Sequence, residues 1–213
     1  MKTDDLIKML GTQVEPVDPR TTVRTISFAA AIGGLVAFGV MLVLFGVRTD
    51  LSATRALVYC LVKVAFALAI TIPAFLYLTR VARPGGERKT SLALMVAPFV
   101  GIMLFAAISL VFAPSSHWHE MIVGDQWLEC LLSIPIIAIV PFAAVIFALR
   151  QMAPTDLVRT GALGGLFAGA ISAIGYALHC TDDSLPFVAL WYGGTVVFCT
   201  LAGALLGPKL LRW

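Results

Sequence analysis

Charged residues are scarce in this chain. Only 13% of its 213 residues are Asp, Glu, Lys or Arg, whereas 60% are hydrophobic, and the mean hydropathy is +0.96. A water-soluble domain with so little charge would not have enough polar side chains to cover its surface. The composition therefore excludes a soluble globular protein and indicates a protein that lies mostly within a lipid bilayer.

The motifs of common enzymes and of nucleic-acid-binding proteins are also missing. The chain has no glycine-rich phosphate-binding loop, no set of Ser, His and Asp beyond what chance supplies, and no CxxC pair among its four cysteines. It has no dense basic patch with interleaved aromatic residues. We therefore expect no enzyme activity, no resident cofactor and no direct contact with nucleic acid.

Six long apolar segments fill most of the sequence. A transmembrane helix needs about 20 mostly apolar residues. Six segments reach that length, at about 25–47, 57–78, 91–113, 127–149, 160–179 and 187–207. The sequence therefore predicts an all-α membrane protein, with a six-transmembrane-helix bundle in residues 25–213 and a tail in residues 1–24.

Positive charge lies in every second gap between these segments. Twelve of the fifteen Lys and Arg residues lie in the tail, in the loops 79–90 and 150–159, or at the C-terminus, whereas the other three gaps hold only Arg48 and Arg55. Cytoplasmic loops carry the Lys and Arg excess in membrane proteins. We therefore expect both termini to be cytoplasmic. The pattern fits a bacterial inner membrane, although an organellar membrane obeys the same physics.

The tail has the pattern of a short amphipathic helix. Its apolar stripe consists of Leu6, Ile7, Leu10 and Val14, and Pro16 and Pro19 are expected to end the helix. A helix of this length is marginal alone in water. We expect the stripe to dock into a groove of a protein partner, and the alternative is that it lies on the membrane surface.

Glycines recur every fourth residue in the last two segments, at Gly161, Gly165 and Gly169 and again at Gly203 and Gly207. Small residues at this interval allow helix backbones to approach closely. We expect them to pack the bundle internally, and a homodimer is the alternative.

Two cysteines fall close to the same predicted membrane face. Cys130 lies at the start of the fourth segment, and Cys180 lies at the end of the fifth. All three histidines and two acidic residues share that face: His117, His119, His179, Asp182 and Asp183. Thiolates and imidazoles bind soft and borderline metals such as Zn, Cu and Cd, and two thiols facing an oxidising compartment can instead form a disulfide. The bland alternative is an outer cap in which His and Asp side chains hydrogen-bond to the loop backbone.

Three further residues have simpler expectations. Cys60 and Cys199 are expected to be small apolar filler. Lys63 lies inside the second segment, where a charge is a functional candidate, but it is close enough to the end of the helix to extend its ammonium into water. We expect it to do so.

Several blocks of this sequence resemble the NrsF family of bacterial membrane anti-sigma factors. The most specific are a Trp-His block followed by Cys130 and a His-Cys-x-Asp-Asp block; the blocks run over 117–124, 127–130, 134–135, 141–142, 148–155, 176–184 and 187–193. Both ends of the chain look like the family ends as well.

This resemblance implies a six-span inner-membrane protein that holds an extracytoplasmic-function sigma factor inactive at the membrane. It also implies that Cys130 and Cys180 release the sigma factor on heavy-metal or oxidative stress, with no bound group other than a transient soft-metal ion at the cysteine pair. The competing interpretation is a small metal or solute transporter of the inner membrane.

Overall fold

A computed structural model of the chain describes residues 19–83, 92–152 and 154–212, together with residue 3. All of the regular secondary structure in these parts is helical. Its main helices are α1 (Pro19–Leu44), α2 (Thr54–Val81), α3 (Leu92–Phe112), the short α4 (Trp118–Val123), α5 (Trp127–Arg150), α6 (Leu157–Tyr176) and α7 (Leu185–Leu210). A single 3₁₀ turn, Ser115–His117, precedes α4, and α7 contains a π-helical turn at Val188–Tyr192.

Six of these helices are long and apolar enough to cross a membrane. Each coincides with one of the six predicted segments to within a few residues, except that the first helix begins earlier than expected. Pro19 opens α1, which suits proline because the first turn of a helix has no hydrogen-bond acceptor for its N–H. The apolar stripe at Leu6, Ile7, Leu10 and Val14 lies outside the described residues.

α6 forms the centre of the bundle. It packs against α2, α5 and α7, and 67% of its most apolar stretch is buried, compared with 11% for α3 at the periphery. Small residues dominate α6, so neighbouring helices approach it on several sides. The chain thus folds around its least bulky helix.

The repeated glycines lie in the contact between α6 and α7. A Cβ atom on Gly165 would overlap the carbonyl oxygen of Cys199, and one on Gly161 would overlap the carbonyl oxygen of Gly203. Backbone meets backbone along this seam, which confirms the prediction of internal packing. These glycines are therefore occupied within one chain and do not form a free surface for a dimer.

α5 contains two prolines, Pro135 and Pro141. Proline removes one backbone donor from the helix ladder and bends the helix. Pro141 is buried against α1, where a Cβ on Gly33 would lie only 2.7 Å from its Cα. The proline-containing part of α5 is thus held in place by close contact with α1.

Candidate functional site: the cap of the bundle

Three connections meet at one end of the bundle and interlock there. They are residues 45–53, 113–126 and 177–184, which we call the cap. Ser184 Oγ donates to the carbonyl of Met121 at 2.6 Å, and the backbone N–H of Arg48 donates to the carbonyl of Leu178 at 3.0 Å. Because each loop bonds to another, the cap fixes the relative positions of the helices that enter it.

The start of α5 is bonded to the turn that follows α6. The Asp182 carboxylate accepts hydrogen bonds from the backbone N–H groups of Gln126, at 2.8 Å, and Asp125, at 3.2 Å. In return, the Gln126 side-chain oxygen accepts a bond from the N–H of Thr181 at 3.0 Å. The N–H groups at a helix start lack acceptors within the helix, and the Asp182 carboxylate, from a distant loop, accepts from the N–H of Gln126, the residue that caps α5.

This exchange joins the two segments that carry the predicted cysteines. Cys130 follows Gln126 by one helical turn, and Cys180 directly precedes Thr181. Both are fully buried and belong to the main apolar core of the bundle. Both are free thiols in this structure. The sequence predicts both cysteines at one membrane face, and the fold buries both at the cap end of the bundle.

A buried network of ion pairs lies beside Cys180. The Arg48 guanidinium donates to both carboxylate oxygens of Asp183, each at 2.9 Å, and to the carbonyl of Cys180 at 3.0 Å. Lys63 Nζ donates to the same carbonyl at 2.9 Å and to Asp183 at 3.3 Å. Two cations from separate parts of the chain therefore hold the Cys180 backbone and the carboxylate that follows it.

The expectation that Lys63 reaches water is wrong. Its side chain is completely buried, with Nζ 5.9 Å from the centroid of the Tyr192 ring. An ammonium is stable in such a place only with close partners, which the carbonyl of Cys180 and the carboxylate of Asp183 provide. Lys63, from α2, thus bonds to the cap from below.

Arg48 was not singled out by the sequence reasoning, yet it is central to the network. It also bonds bidentately to Asp50, at 2.6 and 2.8 Å. Its hydrogen bonds to Asp50 and Asp183 raise the Arg48 pKa, and the bond to Arg48 lowers the pKa of the Asp50 carboxyl. The sequence signal that could have identified Arg48 is that it is one of only two cations in the gaps on that face and lies two residues before Asp50.

The three histidines are not brought together. His117 and His119 are exposed, whereas His179 packs against the rings of Phe45 and Tyr176, at 5.3 and 5.6 Å between centroids. Asp182 and Asp183 have the structural bonds described above. Within residues 19–83, 92–152 and 154–212, no group of three or more His, Cys, Asp and Glu is arranged to hold a metal ion. The role of these five residues as ligands stays a prediction.

An open cavity of about 630 Å³ lies in the cap. Charged and polar side chains line it, among them Arg48, Glu120 and Asp182, and it reaches Thr181 next to Cys180. A water-soluble molecule that enters the cavity therefore comes within one residue of a buried thiol.

The comparison with protein families covers this whole arrangement. The model of the family described as "NrsF: Negative regulator of sigma F" matches residues 10–213, which include all three cap loops and both cysteines. The chain belongs to the NrsF family. The resemblance drawn from the sequence blocks is thereby confirmed.

Two curated relatives of the NrsF family match the chain along its full length. The "Probable anti-sigma-F factor NrsF" of Azospira oryzae is 33% identical over 213 residues, and the "Anti-sigma-F factor NrsF" of Caulobacter vibrioides is 30% identical over 218 residues. The alignments cover all of this chain and all of each relative. No solved structure matches the chain.

Proposed function

We propose that this protein is an anti-sigma factor that holds an extracytoplasmic-function sigma factor inactive at a bacterial inner membrane. Release follows when heavy metal or oxidant reacts with Cys130 and Cys180. The observation that supports the proposal is that both thiols are buried under a cap whose hydrogen bonds join the segments that carry them, in a chain related along its whole length to named anti-sigma factors.

The orientation follows from charge. The cap loops lie on the side poor in Lys and Arg, and the opposite end carries exposed Arg20, Arg24, Arg150 and Arg159. By the positive-inside rule the cap faces the periplasm and both termini face the cytoplasm. The two sides of the bundle then have separate tasks: the cap meets the stress, and the cytoplasmic end meets the sigma factor.

The binding surface for the sigma factor lies at that cytoplasmic end. The candidates are the tail, with its stripe at Leu6, Ile7, Leu10 and Val14, and the inner loops 79–90 and 150–159. Deleting residues 1–16 separates them, because unchanged repression of the cognate promoter would assign binding to the loops.

The signal crosses the bundle through α5 and α6. Cys130 lies in the first turn of α5, Cys180 follows the end of α6, and both helices run to the 151–156 loop at the other end. Joining the two sulfurs, by a disulfide or through a shared soft-metal ion, changes the relation between the helices that carry them. To shift the population from 1:99 to 99:1, the reaction must favour the released state by about 5.5 kcal/mol, which thiolate–metal bonds supply.

Substitution of the cysteines tests the sensor. Cys130→Ser and Cys180→Ser, alone and together, are expected to keep the sigma factor bound while abolishing the transcriptional response to Cd²⁺ and to peroxide. Cys199→Ala is the matched control, because Cys199 lies in the α6–α7 seam away from the cap. A full response in the double variant would contradict the sensor role.

The orientation has its own test. Ser116→Cys places an exposed thiol in the cap, and Gln151→Cys places one at the other end, while the native thiols are buried. A membrane-impermeant maleimide added to spheroplasts is expected to label the first variant alone. Labelling of the second alone would invert the orientation.

Family membership favours a regulator over a transporter, and solute flux into vesicles that contain the purified protein would reverse that preference.

A further inference from the structure

Two tyrosine hydroxyls are buried next to the thiols without hydrogen-bond partners. Within the described parts of the chain, three buried side-chain oxygens lack a partner: Ser172 Oγ, Tyr176 OH and Tyr192 OH. Tyr176 and Tyr192 are both completely buried, and their rings lie 6.2 Å apart. A buried hydroxyl without a partner is unfavourable, and proteins rarely keep two of them side by side.

Both tyrosines lie beside Cys180. Tyr176 and Tyr192 belong to the same apolar cluster as Cys130 and Cys180. The N–H of Cys180 donates to the carbonyl of Tyr176 at 3.1 Å, one helical turn back. Lys63 Nζ joins Tyr192 to the same place, because it lies 2.9 Å from the carbonyl oxygen of Cys180 and 5.9 Å from the centroid of the Tyr192 ring. A thiol sulfur is a weak acceptor, so the reduced site leaves two strong donors poorly used.

We propose that the O–H groups of Tyr176 and Tyr192 donate hydrogen bonds to an oxygen atom that a peroxide adds to the sulfur of Cys180. The cap cavity brings a small water-soluble oxidant as far as Thr181. The two O–H groups then donate to the oxygen bound to sulfur, and the orphaned donors gain an acceptor that the reduced thiol does not offer.

The chemistry balances with hydrogen peroxide as the oxidant. A bond forms between Cys180 Sγ and one peroxide oxygen, the O–O bond breaks, and one water leaves, so that sulfur is oxidised to the sulfenic acid and the peroxide is reduced. Cys130 Sγ then attacks the oxidised sulfur, the S–O bond breaks, and a second water leaves with formation of the disulfide. The thiol proton passes to the peroxide oxygen that leaves, where charge develops as the O–O bond breaks, and the tyrosine O–H groups hold the peroxide in place through the oxygen that the sulfur gains.

This inference rests on the proposed function only in taking the cysteine pair as the site of reaction. It also assigns an order of reaction to the two cysteines: Cys180 reacts first and Cys130 second. It also makes Tyr176 and Tyr192 positioning residues of the thiol site, because they act through the oxygen that the sulfur gains.

The test uses the purified full chain in detergent, with Cys130→Ala so that the sulfenic acid accumulates. The probe is hydrogen peroxide, and dimedone with mass spectrometry measures the labelled fraction at each cysteine. Tyr192→Phe and Tyr176→Phe remove only the hydroxyls. Each is expected to slow labelling of Cys180 about tenfold, the effect of losing one well-placed hydrogen bond, and the double variant is expected to slow it further.

A second measurement separates this role from a structural one. Removing an unpartnered buried hydroxyl leaves thermal stability unchanged or higher, so the Phe variants should react more slowly without unfolding earlier. Tyr77→Phe is the control, since Tyr77 is a buried tyrosine near the opposite end of α2. It is expected to leave the labelling rate unchanged.

Three outcomes overturn the inference: an unchanged labelling rate in the double Phe variant, an equal loss of that rate in Tyr77→Phe, or dimedone on a cysteine other than Cys180 in the Cys130→Ala chain. A normal labelling pattern together with a failure of the oxidised full chain to release the sigma factor would instead refute the proposed function and leave the chemistry intact.

Discussion

The α6–α7 seam and the cap are held together by different forces. In the seam, glycine backbones touch and a single added methyl group has no room. In the cap, charged and polar side chains from distant segments bond to one another around a small cluster of thiols and phenols. A contact of backbone against backbone has one arrangement, whereas a polar network depends on the ionisation and chemistry of its members. The seam is therefore a rigid scaffold, whereas the arrangement of the cap can change with the ionisation or chemistry of its side chains.

The largest effect is expected from breaking the cap at Asp183. Asp183→Ala leaves Lys63 and Arg48 with fewer partners, and an unpaired buried charge costs about 3–5 kcal/mol. We expect a matching fall in the free energy of unfolding in detergent, measured by denaturant titration. Asp125→Ala removes an exposed carboxylate from another loop of the cap and is expected to have little effect.

A double substitution sharpens this prediction. Lys63→Met removes the fully buried charge, so the Asp183→Ala, Lys63→Met chain should be more stable than Asp183→Ala alone. If the two substitutions were simply additive, the network would not be the cause of the loss.

An intermediate effect is expected in the seam. Gly165→Ala places a Cβ against the carbonyl of Cys199, and forced overpacking of this kind costs about 1–3 kcal/mol. Gly101→Ala in α3 is the matched control because a Cβ there meets nothing within 4 Å. It should be neutral or slightly stabilising, since alanine is the better helix former. Equal unfolding temperatures for the two variants would contradict the view of the seam as a close steric contact.

The smallest effect concerns pH. Arg48 lowers the pKa of Asp50 in the folded protein, so the ionised Asp50 stabilises the fold above the unfolded pKa of about 4, and this contribution is lost as the pH falls through the lower folded value. The difference in unfolding temperature between wild type and Asp50→Asn should therefore shrink on acidification from about pH 6 to about pH 3. In an Arg48→Gln background the difference should be small at every pH. Persistence of the full difference there would rule out Arg48 as its cause.

Much of the fold followed from local patterns. The six segments, the internal use of Gly161, Gly165 and Gly203, and the place of Cys130 and Cys180 at the same end of the bundle were all predictable, because each depends on spacing along one helix or on which end of a helix a residue occupies. The family resemblance added the function that such a bundle serves.

The partners of Lys63 and Arg48 were not predictable in the same way. Asp183 lies 120 and 135 residues away from them in the chain, and nothing in the spacing selects it over the neighbouring Asp182 or over Glu129. The two aspartates prove to have separate tasks: Asp182 bonds to the start of α5, and Asp183 pairs with the buried cations. The two unpartnered tyrosine hydroxyls are likewise visible only once the helices are packed.

The sequence alone therefore determined how many helices are long and apolar enough to cross a membrane, because hydropathy is summed over about 20 adjacent residues and needs no knowledge of neighbours. The tertiary structure alone decided which polar groups meet at the cap. Burial makes each of those groups depend on a specific partner, and only the packing of α2, α5, α6 and α7 determines which partners are within reach.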